Sequence, residues 1–216
     1  EGADESEIRS AYRALRAHIE ARSQSSEHEA FRGERRYELL DLERMRALAT
    51  LDARVTVAVD SLETIEAAAN AGIAEVLIDV NVGLPRCGCP PEHAGMLGDR
   101  ARRSGMQVRG VMGYEGHVVG IPDREQREQG CRDSMDLLAT AHQAVGGDVI
   151  SAGGTGTFDC NGLATEIQAG SYALMDTAYG KCGMPFRQAL FIESTIISVS
   201  SDYAVADCGL KALGMD

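Results

Sequence analysis

The apolar positions along this chain fall into two rhythms. Residues 4–22 carry Ile8, Tyr12, Leu15 and Ile19 at steps of four, three and four, which predicts an amphipathic helix with a charged outer face. Residues 23–38 are polar and charged without a steady apolar period and read as a linker or a poorly ordered stretch. Helical spacing returns over 39–50 (Leu39, Leu42, Met45, Leu48, Ala49), and the β-branched run at 54–60 predicts a strand. From there the alternation is regular. A helix from Ser61, a predicted N-cap, carries Leu62, Ile65, Ala68 and Ala69 and stops at Gly72. The nearly all-apolar run at 75–80 predicts a strand buried on both faces, the kind found in parallel sheets. A helix near 91–104, a strand near 107–113, a long helix near 123–145 and a strand at 148–152 continue the βαβ repetition. Beyond it the rhythm changes: 163–175, 189–200 and 203–207 read as strands with short connections, so the chain passes to β-rich structure near residue 180.

Composition narrows the class without changing this picture. At 216 residues the chain can form one sizeable domain or part of one, whereas a full (β/α)8 barrel takes about 250. An apolar fraction of 44% with 25% charged residues is ordinary for a soluble α/β protein, and no apolar run is long enough to span a membrane. The start shows neither a basic nor an apolar leader region, so a cytosolic location is expected. A formal net charge of −12 disfavours nucleic acid and anionic membranes as partners. All but two of the 21 basic residues are arginine, the exceptions being Lys181 and Lys211. Six scattered cysteines spell neither a zinc ribbon nor a C-x-x-C pair and read as free thiols.

In parallel α/β architectures chemistry sits at the C-terminal ends of the strands. After 75–80 come Asn81, Gly83 and Arg86-Cys87-Gly88; after 107–113 come Tyr114, Glu115, Gly116 and His117. After 148–150 comes Ser151-Ala152-Gly153-Gly154-Thr155-Gly156-Thr157, and within 165–179 come Glu166, Gln168, Gly170, Ser171, Tyr172, Asp176 and Tyr179. The glycine and threonine loop has the make-up of a phosphate cradle, because glycines let backbone N–H groups approach an anion and hydroxyls add donors. Each feature also has a plainer reading. The loop can be a tight turn, Arg86 can pair with Glu92, His117 can be a hydrogen-bonded turn residue, and Gly170-Ser171 can be a strand bend. Four consecutive strand ends of this kind are harder to explain without a ligand.

Five ordered motifs, at 79–88, 110–117, 151–157, 165–180 and 207–213, together resemble the D-threonine aldolase family, whose barrel is similar to that of alanine racemase and which includes D-serine dehydratases and 3-hydroxy-D-aspartate aldolases. The likeness covers about residues 52–216. It implies an α/β fold, a partial (β/α)8 barrel of the alanine racemase type over 51–185 followed by the first strands of a β-domain at 186–216, with 1–50 as a helical segment outside the resemblance. It also implies pyridoxal 5'-phosphate (PLP) as cofactor and a β-hydroxy-D-amino acid as substrate, with retro-aldol cleavage to glycine and an aldehyde. Residue by residue, Gly153, Gly154, Thr155 and Thr157 would hold the phosphate together with Gly170 and Ser171, and Tyr179 would add a contact. Arg86 would donate to the cofactor's phenolic oxygen and Gln168 would face its pyridine nitrogen, where a neutral partner suits bond cleavage other than racemisation. Tyr114 would pack beside the ring, and His117 would act as a base or orienting group.

Two features depart from the family. Its catalytic lysine precedes the part that matches here, and residues 1–53 contain no lysine. Its divalent ion (Mn, Mg or Zn) takes C-terminal His and Asp or Cys ligands that lie past Asp216, and only about five of eight barrel strands can be counted. The chain therefore reads as a piece of a longer protein, inactive alone, from a family whose barrels tend to dimerise. The alternatives are a D-serine or 3-hydroxy-D-aspartate dehydratase-like lyase and a non-catalytic PLP-binding relic.

Overall fold

The computed structural model describes residues 36–209, with side chains from Glu43 onward. The helix expected at 4–22, most of the linker and Lys211 lie outside those residues. Helix α1 (Arg36–Ala49) leads into strand β1 (Thr56–Val59). Then come α2 (Leu62–Ala71), β2 (Glu75–Asp79), a 3-10 turn at Pro91–His93 running into α3 (Ala94–Arg103), and β3 (Gln107–Met112). The unit closes with α4 (Arg124–Val145), β4 (Val149–Ala152) and β5 (Glu166–Ile167).

Local chemistry explains the punctuation. Ser61 caps α2 by accepting from the Thr64 amide at 3.1 Å, and Thr64 Oγ1 accepts from the Ser61 amide at 3.0 Å, a reciprocal box that satisfies two donors no helix turn can reach. Asp123 does the same for α4, accepting from the Gln126 amide at 2.8 Å. The helices and the four strands expected between residues 39 and 152 thus stand, within three residues at their ends, α1 starting at Arg36 inside the stretch expected as linker.

The five strands form one sheet in the order β1-β2-β3-β4-β5, every pair parallel. Each strand lies beside its predecessor, without the reversal of order that marks a doubly wound sheet, so this is the singly wound arrangement of a barrel wall. Val76 and Ile78 of β2 enter the main core with Ile65, Ala68, Leu97, Val111, Leu138 and Ile150. Leu77 between them is also buried but stands outside that cluster, as the two-residue period of a strand requires. A bulge at Val76/Leu77 shifts the β2–β3 register, and Gly110 lies at the shifted position. A Cβ there would fall 1.9 Å from the Val149 carbonyl, so β4 can start beside β3 only because residue 110 has no side chain.

Beyond β4 the expectation needs correction. Residues 163–175 form a strand only at Glu166–Ile167, flanked by ladder-like bonds from the Thr165 amide to the Ile150 carbonyl and from the Gln168 amide to the Ala152 carbonyl. At Gly170 the backbone turns into a 3-10 turn, Ser171–Ala173, and the Met175 amide closes back on the Ser171 carbonyl. The strands expected at 189–200 and 203–207 are shorter, β6 (Ile196–Val199) and β7 (Ala204–Ala206), paired antiparallel as a hairpin. Phe191, Ile197, Val199 and Tyr203 around it are exposed, Phe191 to 77%. No helix among the described residues is long and apolar enough to cross a membrane.

Candidate functional site

Because the strands are parallel, their C-terminal ends gather at one end of the sheet, and the expected residues gather with them. The loop after β2 folds back on its own strand: the Cys89 amide donates to the Asp79 carbonyl and the Asn81 amide to the Cys89 carbonyl, each at 2.9 Å. The Gly88 amide donates to Asp60 at the end of β1 at 3.2 Å. This fixes Arg86, whose guanidinium carbon lies 5.5 Å from the centroid of the Tyr114 ring, at the end of β3, in cation–π contact. Arg86 is thus on Tyr114, and among the described residues it makes no ion pair with Glu92. The two line a small cleft with Asp79, Asn81, Leu84 and Cys87. Within it the Cys87 thiol donates to Asp79 at 3.2 Å. Burial is the main reason that the Asp79 carboxyl and the Tyr114 phenol sit above their ordinary values, so both favour the protonated form.

The glycine and threonine loop after β4 winds around a residue that the sequence reading did not single out as a site. Glu115, fully buried, accepts from the Gly153 amide at 3.1 Å with one carboxyl oxygen. With the other it accepts from the Thr157 hydroxyl at 2.8 Å and the Asn161 side-chain amide at 3.4 Å, with the Cys131 thiol at 3.9 Å. Burial pushes that thiol up to about 12, which keeps it protonated as a donor. Thr157 in turn accepts from the Gly154 amide at 3.0 Å, and Thr155 accepts from the Tyr172 amide at 3.0 Å. Within the expected cradle the Gly153 N–H and the Thr157 hydroxyl point inward to Glu115. Among the described residues the Thr155 and Gly156 N–H groups have no acceptor. Gly156 is glycine for a second reason, since a Cβ there would fall 1.7 Å from the Val119 carbonyl. Glu115 left only a faint signal in the sequence, one acid just past the end of a strand.

Gln168 stands beside this loop and is held from below. Its side-chain amide donates to the Ser151 hydroxyl at 3.1 Å, and that hydroxyl donates to Glu166 at 2.7 Å. Ser151 is a second residue whose role was not legible. Gly170 and Ser171 form the turn that delivers the Tyr172 amide to Thr155. Tyr179 lies in the next turn (Tyr179–Cys182), where burial raises its phenol, with Tyr114 adding to the rise and a hydrogen bond with Ser171 opposing it. Arg127 of α4 ties this turn down through the Cys182 carbonyl at 3.1 Å. A Cβ on Gly154 would sit 3.1 Å from the Tyr114 ring, so Arg86, Tyr114, the loop, Ser171 and Tyr179 form one continuous rim. His117 is at its edge, exposed, with its ring packed over Gly83. Lys181 shares the exposed turn with Tyr179 and lies on no strand. Among the described residues no group of three or more His, Cys, Asp or Glu is placed to hold a metal ion.

Comparison with known proteins agrees with the fold. The model of the alanine racemase N-terminal domain matches residues 4–177, and so takes in most of the N-terminal stretch on which the motifs show no likeness. D-threonine aldolase of Arthrobacter sp is 33% identical over 180 residues, which is 74% of this chain and 48% of that protein. 3-Hydroxy-D-aspartate aldolase of Paracoccus denitrificans is 30% identical over 202 residues, 81% of this chain and 52% of that protein. The crystal structure of D-threonine aldolase from Filomicrobium marinum matches with a TM-score of 0.76 and 30% identity, over 83% of this chain and 54% of that one. The chain thus spans about half the length of the curated relatives it matches. With its matched region and its singly wound parallel sheet, the chain belongs to the alanine racemase N-terminal domain family.

Proposed function

We propose that residues 51–185 form the cofactor-binding wall of a PLP-dependent lyase that cleaves a β-hydroxy-D-amino acid to glycine and an aldehyde. In this reading residues 186–216 open a second, β-rich domain. The observation that carries the proposal is the continuous rim at the strand ends, where two unpaired loop N–H groups stand next to a tyrosine stacked under an arginine. The donor set fits the cofactor. The Thr155 and Gly156 amides, the Gly170 amide and the Ser171 hydroxyl suit a phosphate, and Arg86, fixed on Tyr114, suits an oxygen anion on the ring. Bound PLP would supply an electron sink for the bond being broken.

The chain's own residues supply the rest. Arg86 and Tyr114 orient and flank the ring, Gln168 is steadied by Ser151 to meet its nitrogen, and Tyr179 closes the phosphate side. His117, exposed at the edge, takes the β-hydroxyl proton as the Cα–Cβ bond breaks. The names of the relatives favour the aldolase outcome over dehydration. The divalent ion that the family likeness implies is assigned no ligand among the described residues.

The test uses the protein expressed with its natural flanking sequence. D-threonine giving glycine and an aldehyde supports the proposal, whereas pyruvate and ammonia from D-serine replaces it with the dehydratase reading. A second reading, a non-catalytic PLP-binding module, is favoured by Lys181 lying in an exposed turn and not on the sheet. For the 216-residue chain alone, borohydride after PLP addition is expected to leave Lys181 and Lys211 unmodified. A reduced adduct at either lysine contradicts that expectation.

A further inference from the structure

We infer that Glu115 is the positioning residue of the anion loop, a resident internal acceptor that holds the inner half of residues 153–157 so that only its outer N–H groups meet a ligand phosphate. This inference rests on the anion-binding reading of that loop. Four donors from two parts of the chain converge on one fully buried carboxyl: the Gly153 amide, the Thr157 hydroxyl and the Asn161 side-chain amide of the loop after β4, and the Cys131 thiol of α4. No arginine or lysine takes part, so the carboxyl acts through hydrogen bonds alone. An isolated buried carboxyl is costly, and one met by several donors is tolerated because each replaces a lost water contact.

The loop gains a fixed shape in return. Thr157 Oγ1 accepts from the Gly154 amide while donating to Glu115, so its single proton has one direction open to it. The Gly153 amide is committed to the other oxygen. Two of the loop's first donors are thereby withheld from a ligand, and the Thr155 and Gly156 amides, in buried residues of the same loop, are left without an acceptor among the described residues. Replacing the carboxyl by an amide of the same shape breaks this logic. An NH2 group would then face either the Gly153 N–H or the Asn161 NH2, and two donors in contact must separate.

The experiment is a titration of the isotopically labelled 216-residue chain with inorganic phosphate, with PLP and with pyridoxal, followed at the backbone amides. In the parent chain phosphate and PLP are expected to move the Thr155 and Gly156 amides while Gly153 stays. Glu115→Gln is expected to speed amide exchange at Gly153, to weaken phosphate and PLP by about tenfold, and to leave pyridoxal binding unchanged. Thr157→Val should weaken them as much, Thr157→Ser should not, and the Glu115→Gln/Thr157→Val pair should do no more than either change alone. The single threonine changes carry the test if the Glu115 variant fails to fold. Equal movement of Gly153 in the parent, unchanged affinity in both Glu115→Gln and Thr157→Val, or fully additive losses overturns the inference and leaves the cofactor reading standing. If no loop amide responds to phosphate or PLP, the cofactor reading falls and this inference with it.

Discussion

Gly156 is confined to glycine by the Val119 carbonyl, which a Cβ would reach at 1.7 Å. Gly156→Ala is therefore expected to cost about 3 kcal/mol and to push the loop off the Tyr114 side of the rim. Gly162→Ala, where a Cβ meets nothing within 4 Å, is expected to stay within about 0.5 kcal/mol, and urea unfolding of the pair checks the contrast. Asp79 gives a pH signature. Its carboxyl sits above the ordinary 3.8, chiefly through burial, so the folded state holds the proton more tightly than the unfolded chain does. Its contribution to stability is full below 3.8 and is lost as pH rises through the raised value. Asp79→Asn removes that loss, and the melting temperature of the variant minus that of the parent is expected to increase from about pH 4 to about pH 7. A flat or falling difference contradicts the assignment. At this scale Arg86, Tyr114 and the loop were legible because strand ends in an α/β repeat draw polar residues. Glu115, Ser151 and Arg127 were not, because a buried polar group is recognised by its partners, and the Gly153 partner of Glu115 lies 38 residues away.

Elements were legible where local chemistry and apolar period agreed. The stretch from Ser61 to Gly72 shows this, since its cap box, its buried Ile65 and Ala68 and its terminal glycine all specify one helix. Residues 163–175 misled because threonine, isoleucine and tyrosine have strand character, yet the pairing partner β4 ends at Ala152 and leaves nothing beyond Gln168 to pair with. What orders the stretch after it is not propensity but Arg127, buried in α4 and donating to the carbonyls of Ile121, Pro122 and Cys182. Its Nε is buried with no partner, so the hydrogen bonds of this guanidinium run through its two terminal nitrogens. Arg127→Met is expected to free the Tyr179–Cys182 turn at a cost of about 1–3 kcal/mol. Limited trypsin digestion reads this directly, since cleavage after Lys181 should quicken while sites in α3 stay protected. Unchanged cleavage there would show that the turn is held by something else.

At the scale of the whole molecule the alternation of strand and helix was enough to specify a parallel sheet, whereas strand order came only from the coordinates. The hairpin of β6 and β7 is a different kind of surface, with Phe191, Ile197 and Val199 exposed together. Exposed apolar side chains of this size bind hydrophobic dyes. The triple change Phe191→Ser, Ile197→Thr and Val199→Thr is expected to lower anilinonaphthalene sulfonate fluorescence with no change in melting temperature, because none of the three packs against the main core. The sheet carries a consequence of its own. Each strand hydrogen-bonds to the one made just before it, so no strand has to wait for a later part of the chain to find its neighbour. A ribosome releasing this polypeptide from its N-terminus would offer every new strand a finished edge, and the sheet can grow in the direction of its own synthesis.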